Sequence, residues 1–354
     1  MKILIRVPNW VGDAVIAIPA LEAIRRARPE DEICILGRPV VADVLSGQPF
    51  ANRILQFDFR GRHASWLGRE RLVAELRKEK FEVAVLLQNA FDAAWLAWRA
   101  GIPERIGYAR DARGPLLTKP IRVPQAGEIP KHESHYYLEL LRRARWIEEL
   151  PAIPPIRLFV NEVARAGAES MMRSSETGEN AWRVAIAPGA SYGAAKCWPP
   201  ERFALLADRM ISESAADVIF FGTPNEREIA DRIRSHMKSH AIFLVGETSM
   251  RDLPALFASC SIFIGNDSGA MHVAAAAGLP VIGIFGSTDP EGTAPVAEQF
   301  TLIREPVSCS PCFLRKCPVD HRCMTRITVD SVFAAAMQLK NSPKNLSVRG
   351  VKNV

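Results

Sequence analysis

At 354 residues, with 48% hydrophobic and 24% charged side chains, the chain has a globular composition and exceeds what one core usually serves, so two domains are expected and only the tail 341–354 reads as flexible. The formal net charge of +6 lies mostly in the first half, where residues 1–150 hold 24 Lys and Arg against 19 Asp and Glu; this favours an anionic partner, with a solvated basic surface as the plainer account. Arg6 and Asp13 interrupt the first apolar run, which argues against a secretory signal and makes the chain read as cytosolic.

In chain order, apolar runs at 3–7, 33–36, 54–57 and 83–87 predict strands. Val15, Ile18, Leu21 and Ile24 keep a helical spacing between the first two, and Pro19 should kink or restart that helix. Arg53, Arg60, Arg62, Arg69 and Arg71 cluster in a region that reads partly as loop. An acidic lipid headgroup suits them better than nucleic acid, because no binding motif and no basic stripe interleaved with aromatics is present. Pro151-Ala152-Ile153-Pro154-Pro155 can continue neither a helix nor a central strand and marks the domain boundary. Beyond it, strands are predicted at 184–187, 218–221, 242–244, 262–265 and 281–285, with helices at 200–212, 226–237 and 251–259. Such alternation implies an α/β fold of two doubly wound parallel sheets, each presenting ligand sites at the carboxyl ends of its strands.

Four segments carry chemistry. After the first strand, Val7-Pro8-Asn9-Trp10-Val11-Gly12-Asp13 lacks the Gly-x-Gly-x-x-Gly spacing of a nicotinamide enzyme and presents an acid that either accepts a proton from a bound hydroxyl or caps the following helix. In the second half, the Gly- and Ala-rich loop 188–199 carries one cation, Lys196, suited to a departing diphosphate, and Glu226 ends the next strand with a carboxylate suited to a ribose hydroxyl. Finally, Asn266-Asp267-Ser268-Gly269-Ala270-Met271-His272 brings an Asp, small residues and a His to a helix start, where unpaired N–H groups and the helix dipole favour a diphosphate. The alternative is that Asp267 or Ser268 caps that helix.

These motifs together, in order over roughly residues 1–340, resemble the bacterial lipopolysaccharide heptosyltransferases, glycosyltransferase family 9. The resemblance implies a GT-B architecture, with Rossmann-like domains facing across a cleft: 1–155 for the acceptor, 156–327 for the nucleotide sugar, a helix at 328–341 and a flexible tail at 342–354. It also implies an ADP-heptose donor, inversion at the anomeric carbon, and a lipopolysaccharide inner-core acceptor. The Trp10-Val11-Gly12-Asp13 form looks more like the members that add the second inner-core heptose, onto heptosyl-Kdo-lipid A, than those that add the first. By the same resemblance Asp13 falls on the catalytic base and Lys196 on the diphosphate lysine, while Ser191, Tyr192, Glu226, Thr248, Asp267, Ser268, Gly269 and His272 fall on donor-binding positions. Tyr192 departs from the small hydroxyl residue found elsewhere, and Thr248 aligns only loosely, near the adenine. Arg60 and Arg62 are the acceptor-binding candidates, within variable loops at 37–48, 58–68 and 108–119. A glycolipid acceptor implies a cytoplasmic protein visiting the inner face of the cytoplasmic membrane peripherally through basic first-half loops.

Cys309, Cys312, Cys317 and Cys323 crowd one segment with His321 nearby. A structural zinc, a disulfide under oxidising conditions and free thiols all remain open, since the usual pair of separated Cys-x-x-Cys knuckles is missing. The transfer chemistry itself requires no cofactor. The rival functions are a transferase using the same donor with another acceptor, such as the first inner-core sugar, and a sugar-nucleotide epimerase. The epimerase reading is weakened because no second carboxylate is evident at the reacting carbon.

Overall fold

The computed structural model describes residues 1–175, 177–178 and 182–341; the flexible tail expected at 342–354 lies outside the described residues. Two compact units are present: Met1–Phe159 with Glu291–Thr293, and Val160–Pro290 with the chain from Ala294 onward.

Unit 1 is built on β1 (Lys2–Arg6), β2 (Glu32–Gly37), β3 (Arg53–Gln56), β4 (Val83–Leu86), β5 (Glu104–Tyr108) and β6 (Lys119–Ile121). They form one sheet in the order β3-β2-β1-β4-β5-β6 with every pairing parallel. Central strands buried on both faces explain the uninterrupted apolar runs that betray them. Leu4, Cys34, Leu36, Ala84 and Leu86 pack with Leu72, Val73 and Leu76 of the helix Trp66–Glu79 and with Ala94, Leu96 and Ala97 of the helix Phe91–Arg99.

Pro19 does restart the first helix. Val11–Ile16 ends at Ala17, and Ile18–Ala27 begins with Pro19 in its first positions, where the missing N–H costs nothing.

Unit 2 repeats the scheme with β7 (Trp182–Ala187), β8 (Ala216–Phe220), β9 (Ile242–Phe243), β10 (Ile262–Asn266), β11 (Val281–Phe285) and β12 (Phe300–Arg304). The order is β12-β11-β10-β7-β8-β9, again all parallel. Its core joins Val184, Ile186, Ile264 and Ile282 to Phe203, Leu206 and Met210 of the helix Pro200–Ser214 and to Val332 and Ala336 of the helix Val329–Lys340. In each sheet the winding reverses once, between β1 and β4 and between β7 and β10. The loops leaving the carboxyl ends of those strand pairs therefore diverge and leave room for a ligand.

Three strands escape sequence inspection. β5 and β12 are polar at several positions, and β6 is a three-residue edge strand containing Pro120, which only an edge tolerates.

Candidate active site

In unit 2 the loop 188–199 leaves β7 and the segment Asp267-Ser268-Gly269 leaves β10, at the point where the winding reverses. Asn266, fully buried at the end of β10, ties both ends of that loop: its Nδ2 donates to Pro188 O at 2.6 Å, and its Oδ1 accepts from Trp198 N at 3.0 Å. Trp198 is itself fully buried, with Nε1 donating to Ile327 O at 3.1 Å. Between the tied ends Lys196 Nζ reaches Asp267 Oδ2 at 2.5 Å, and Thr288 Oγ1 donates to the same oxygen at 2.6 Å. The pair is nearly enclosed, with side chains 14% and 5% exposed. Asp267, expected to touch the donor, thus has Lys196 and Thr288 as its immediate partners.

The helix Gly269–Ala276 has Ser268 in extended conformation at its N-cap, yet among the described residues no side-chain cap bond is made there. Ser268 Oγ is buried without a hydrogen-bond partner among the described residues, and the Asp267 carboxylate is engaged as above. Neither residue therefore performs the capping task weighed for it. The first-turn N–H groups, flanked by the small Gly269 and Ala270, are left for an anion. His272 is buried in the same opening stretch of helix.

Glu226 approaches from the next loop. Its Oε2 accepts from Thr223 N at 2.6 Å and Thr223 Oγ1 at 3.0 Å, a capping box that fixes the carboxyl group. The other oxygen lies over Gly189, where an added Cβ would stand 1.7 Å from Oε1, so a larger residue there would displace the Glu226 carboxyl group. Thr248, half-buried, follows β9 at the same sheet edge, and Ser191 is exposed in the loop 188–199.

The cysteine-bearing segment braces this loop from outside. Ala195 N donates to Arg315 O at 3.0 Å, and Ala195 O is met by His321 Nε2 at 2.9 Å. Because a carbonyl only accepts, that contact assigns the ring proton to Nε2. Tyr192 OH donates to Phe313 O at 2.6 Å, and its ring carries the Lys196 ammonium at 5.0 Å and the Arg315 guanidinium at 5.3 Å from the centroid. Tyr192, the departure from the family pattern, is thus bonded to the brace. The cysteines are free thiols, and among the described residues no group of three or more His, Cys, Asp or Glu is placed to hold a metal. Burial, then the neighbouring Cys309, Cys312 and Cys317, hold the Cys323 thiol above its ordinary range.

In unit 1 the turn bearing Asp13 leaves β1. Arg6, fully buried, donates to Val7 O at 2.6 Å and to Asn9 Oδ1 at 2.6 Å, while Asn9 N donates to Gln88 Oε1 at 2.8 Å, linking the loops after β1 and β4. Burial pushes the Arg6 guanidinium down to about 10, still charged at neutral pH. The N-cap of the helix Val11–Ile16 is Trp10, which supplies no side-chain bond, and Asp13 stands in the first turn, partly open to solvent. A second acid is close. Crowding by protein atoms, then the Asp13 carboxylate, raise the Glu133 carboxyl above its ordinary value, and burial with Asp13 and Glu133 does the same to the Tyr137 phenol. Sequence inspection shows no partner for Asp13, because Glu133 opens a helix (Glu133–Arg143) that packs back on Ile16, with Ser134 Oγ donating to Ile16 O at 2.9 Å.

The arginine cluster divides. Arg53 is held at the opposite end of β3 by Glu79 at 2.6 Å and Glu32 at 3.4 Å, and Arg69 and Arg71 lie on the helix Trp66–Glu79. Arg60 and Arg62 remain in the loop after β3, joined by Arg38, whose guanidinium lies 4.9 Å from the Phe59 ring centroid with Arg60 at 5.6 Å from the same centroid. Burial, then Arg60, lower the Arg38 pKa, with Asp58 opposing them more weakly.

Doubly wound sheets with a lysine and an open helix N-terminus at the β7/β10 reversal are suited to an enzyme that binds an anionic ligand at the end of its sheet. The model of "Glycosyltransferase family 9 (heptosyltransferase)" matches residues 69–322. Lipopolysaccharide heptosyltransferase 2 of Salmonella typhimurium is 30% identical over 314 residues, 86% of this chain and 88% of that protein, and lipooligosaccharide heptosyltransferase 2 of Haemophilus ducreyi is 29% identical over the same shares. The solved structure of the ADP-heptose lipopolysaccharide heptosyltransferase II of Escherichia coli superposes with a TM-score of 0.79 at 26% identity, covering 96% of this chain and 98% of that one. The chain belongs to glycosyltransferase family 9, the heptosyltransferases.

Two expectations follow from the geometry alone. Glu133→Gln removes a negative charge beside Asp13, so the Asp13 carboxyl should titrate at lower pH in carbon-13 NMR; an unchanged titration contradicts the coupling. Because the folded-state pKa of Glu133 is raised above 4.5, its contribution to stability is present at low pH and lost as pH rises through that range, so the variant should be no less stable at neutral pH. His321→Ala should accelerate amide hydrogen exchange across 189–197, and His321→Gln, whose amide can donate from a similar point, should restore protection; identical exchange in all three proteins contradicts the brace.

Proposed function

We propose that the chain transfers L-glycero-D-manno-heptose from ADP-heptose to the heptosyl-Kdo-lipid A inner core of lipopolysaccharide, with inversion, as heptosyltransferase II does. The observation that carries the reading is the enclosed Lys196–Asp267 pair beside an uncapped helix N-terminus at the β7/β10 reversal, which suits a pyrophosphate. The names of the relatives supply the sugar and the acceptor.

The chemistry is one displacement. The acceptor hydroxyl oxygen bonds to the anomeric carbon as the bond from that carbon to the diphosphate oxygen breaks, and the electron pair leaves on ADP. Asp13 takes the hydroxyl proton as the new bond forms, and Lys196 with the first-turn N–H groups at Gly269 and Ala270 meets the charge growing on the diphosphate. His272 and Ser268 donate to phosphate oxygens, Glu226 accepts from a ribose hydroxyl and Thr248 lies by the adenine; Ser191 and Tyr192 border the diphosphate. Arg60 and Arg62, with Arg38 beside them, take the anionic groups of the acceptor. Because the leaving group is stabilised by fixed protein charges, transfer needs no cofactor. The protein works at the inner face of the cytoplasmic membrane as a peripheral visitor; among the described residues no helix is long and apolar enough to cross a membrane.

General-base assistance contributes roughly two to four powers of ten in rate, so Asp13→Asn should lower kcat by about that factor while ADP affinity changes little. Near-full activity would remove Asp13 from the role. Lys196→Ala should lower kcat and weaken ADP binding together in calorimetry, and unchanged affinity would contradict the diphosphate assignment. Lipid A bearing Kdo plus one heptose should accept the sugar and lipid A bearing Kdo alone should not; the reverse preference makes the chain a transferase of the first heptose.

A further inference from the structure

Unit 1 carries an apolar face that neither its core nor the proposed chemistry uses. Trp66, Leu67, Phe91 and Trp98 are 63%, 68%, 49% and 47% exposed, and all four belong to the helices Trp66–Glu79 and Phe91–Arg99. These helices are neighbours. The Trp66 and Trp95 rings lie 5.5 Å apart, Arg99 pairs with Glu70 at 3.0 Å, and Arg77 Nη2 donates to Arg99 O at 2.7 Å. Those links set Trp66 level with Trp95 and Glu70 level with Arg99, so the four apolar side chains gather around the opening turns of the longer helix. Both helices begin where β3 and β4 end, at the same edge of the sheet from which the Asp13 turn leaves β1.

Single exposed apolar residues are ordinary on a soluble protein, whereas several on adjoining helices, rimmed by polar residues, mark a contact surface. The acids beside the patch are half-buried: Asp58 accepts from Gly61 N and Arg62 N, Glu70 pairs with Arg99, and Asp92 follows Phe91. Arg60 and Arg62 are exposed in the loop that leads into Trp66, and Arg71 is exposed one turn further along. Tryptophan suits the boundary of a bilayer because its ring is apolar and its N–H stays wet.

We propose that this face docks on an anionic bilayer, with Trp66, Leu67, Phe91 and Trp98 entering the headgroup boundary and the flanking arginines meeting lipid phosphates. The inference rests on the reading of the acceptor as a glycolipid, since an enzyme whose acceptor hydroxyl lies just above a membrane needs its acceptor edge held there. A second copy of the chain is the poorer occupant, because a two-fold contact through this face would set the arginines of one copy against those of the other.

The test is sedimentation of the full-length protein with phosphatidylcholine vesicles, with and without phosphatidylglycerol, comparing wild type with Trp66→Ser/Leu67→Ser and with Trp98→Ser. The wild type should bind the anionic vesicles more tightly, and the double variant should lose about tenfold or more in partitioning, the scale expected from two large apolar groups that no longer leave water. Raising salt should weaken wild-type binding without abolishing it. Vesicle binding by both variants equal to wild type overturns the face. So does a wild-type dimer in analytical ultracentrifugation that the double variant loses. Transfer to an acceptor fragment without acyl chains should be the same in variant and wild type. No transfer by the wild type to that fragment or to the intact glycolipid counts against the heptosyl reading, and the vesicle comparison still decides the face.

Discussion

An ammonium held against a carboxylate at the end of a buried strand is the interaction on which the site proposed in unit 2 depends. Removing either member of so enclosed a pair leaves an uncompensated charge, at a cost of roughly 3–5 kcal/mol. Lys196 and Asp267 therefore fix one another, and Thr288 donates to the same carboxylate oxygen. The pairing also shapes what the lysine offers. One of its N–H groups is spent on Asp267, so in the proposed role Lys196 would give a diphosphate direction more than net charge. The remaining attraction comes from the helix that starts at Gly269, whose N-terminus has no side-chain cap bond among the described residues.

Both units solve one mechanical problem in the same way. At a reversal of winding two loops diverge, and the chemistry requires them to hold position. Unit 2 uses the Asn266 side chain to tie Pro188 O and Trp198 N, closing the lysine loop at both ends. Unit 1 uses Arg6 on Asn9 and the Asn9 N–H on Gln88, so the turn bearing Asp13 is anchored to the strand beyond the reversal. Beyond these ties, the segment 309–323 presses on the lysine loop through Arg315, His321 and Phe313, and Gly193 is required there because an added Cβ would stand 2.3 Å from Arg315 O.

How much of this was legible in the sequence follows from range. Central strands announce themselves because burial on both faces demands continuous apolar runs, as in Ile3-Leu4-Ile5 and Ile262-Phe263-Ile264, and Pro19 foretold its own helix break. The edge strands β6 and β12, and β5 next to the edge, carry weaker burial and hence weaker pattern. At the site, Lys196 and Asp267 were each visible as chemistry. Their bond was not, since the two lie on loops after different strands and only the sheet order brings them together. The same holds for Glu133 beside Asp13, for Arg38 beside Arg60, and for His321, whose neighbourhood of cysteines suggests a metal while its ring serves a backbone carbonyl.

The most direct measurement is a crystal structure with ADP bound. The account predicts the diphosphate against Lys196 Nζ and the N–H groups that open the helix Gly269–Ala276, with Asp267 still on the lysine. A diphosphate bound elsewhere, with the Lys196–Asp267 pair and the helix N-terminus untouched, would contradict it.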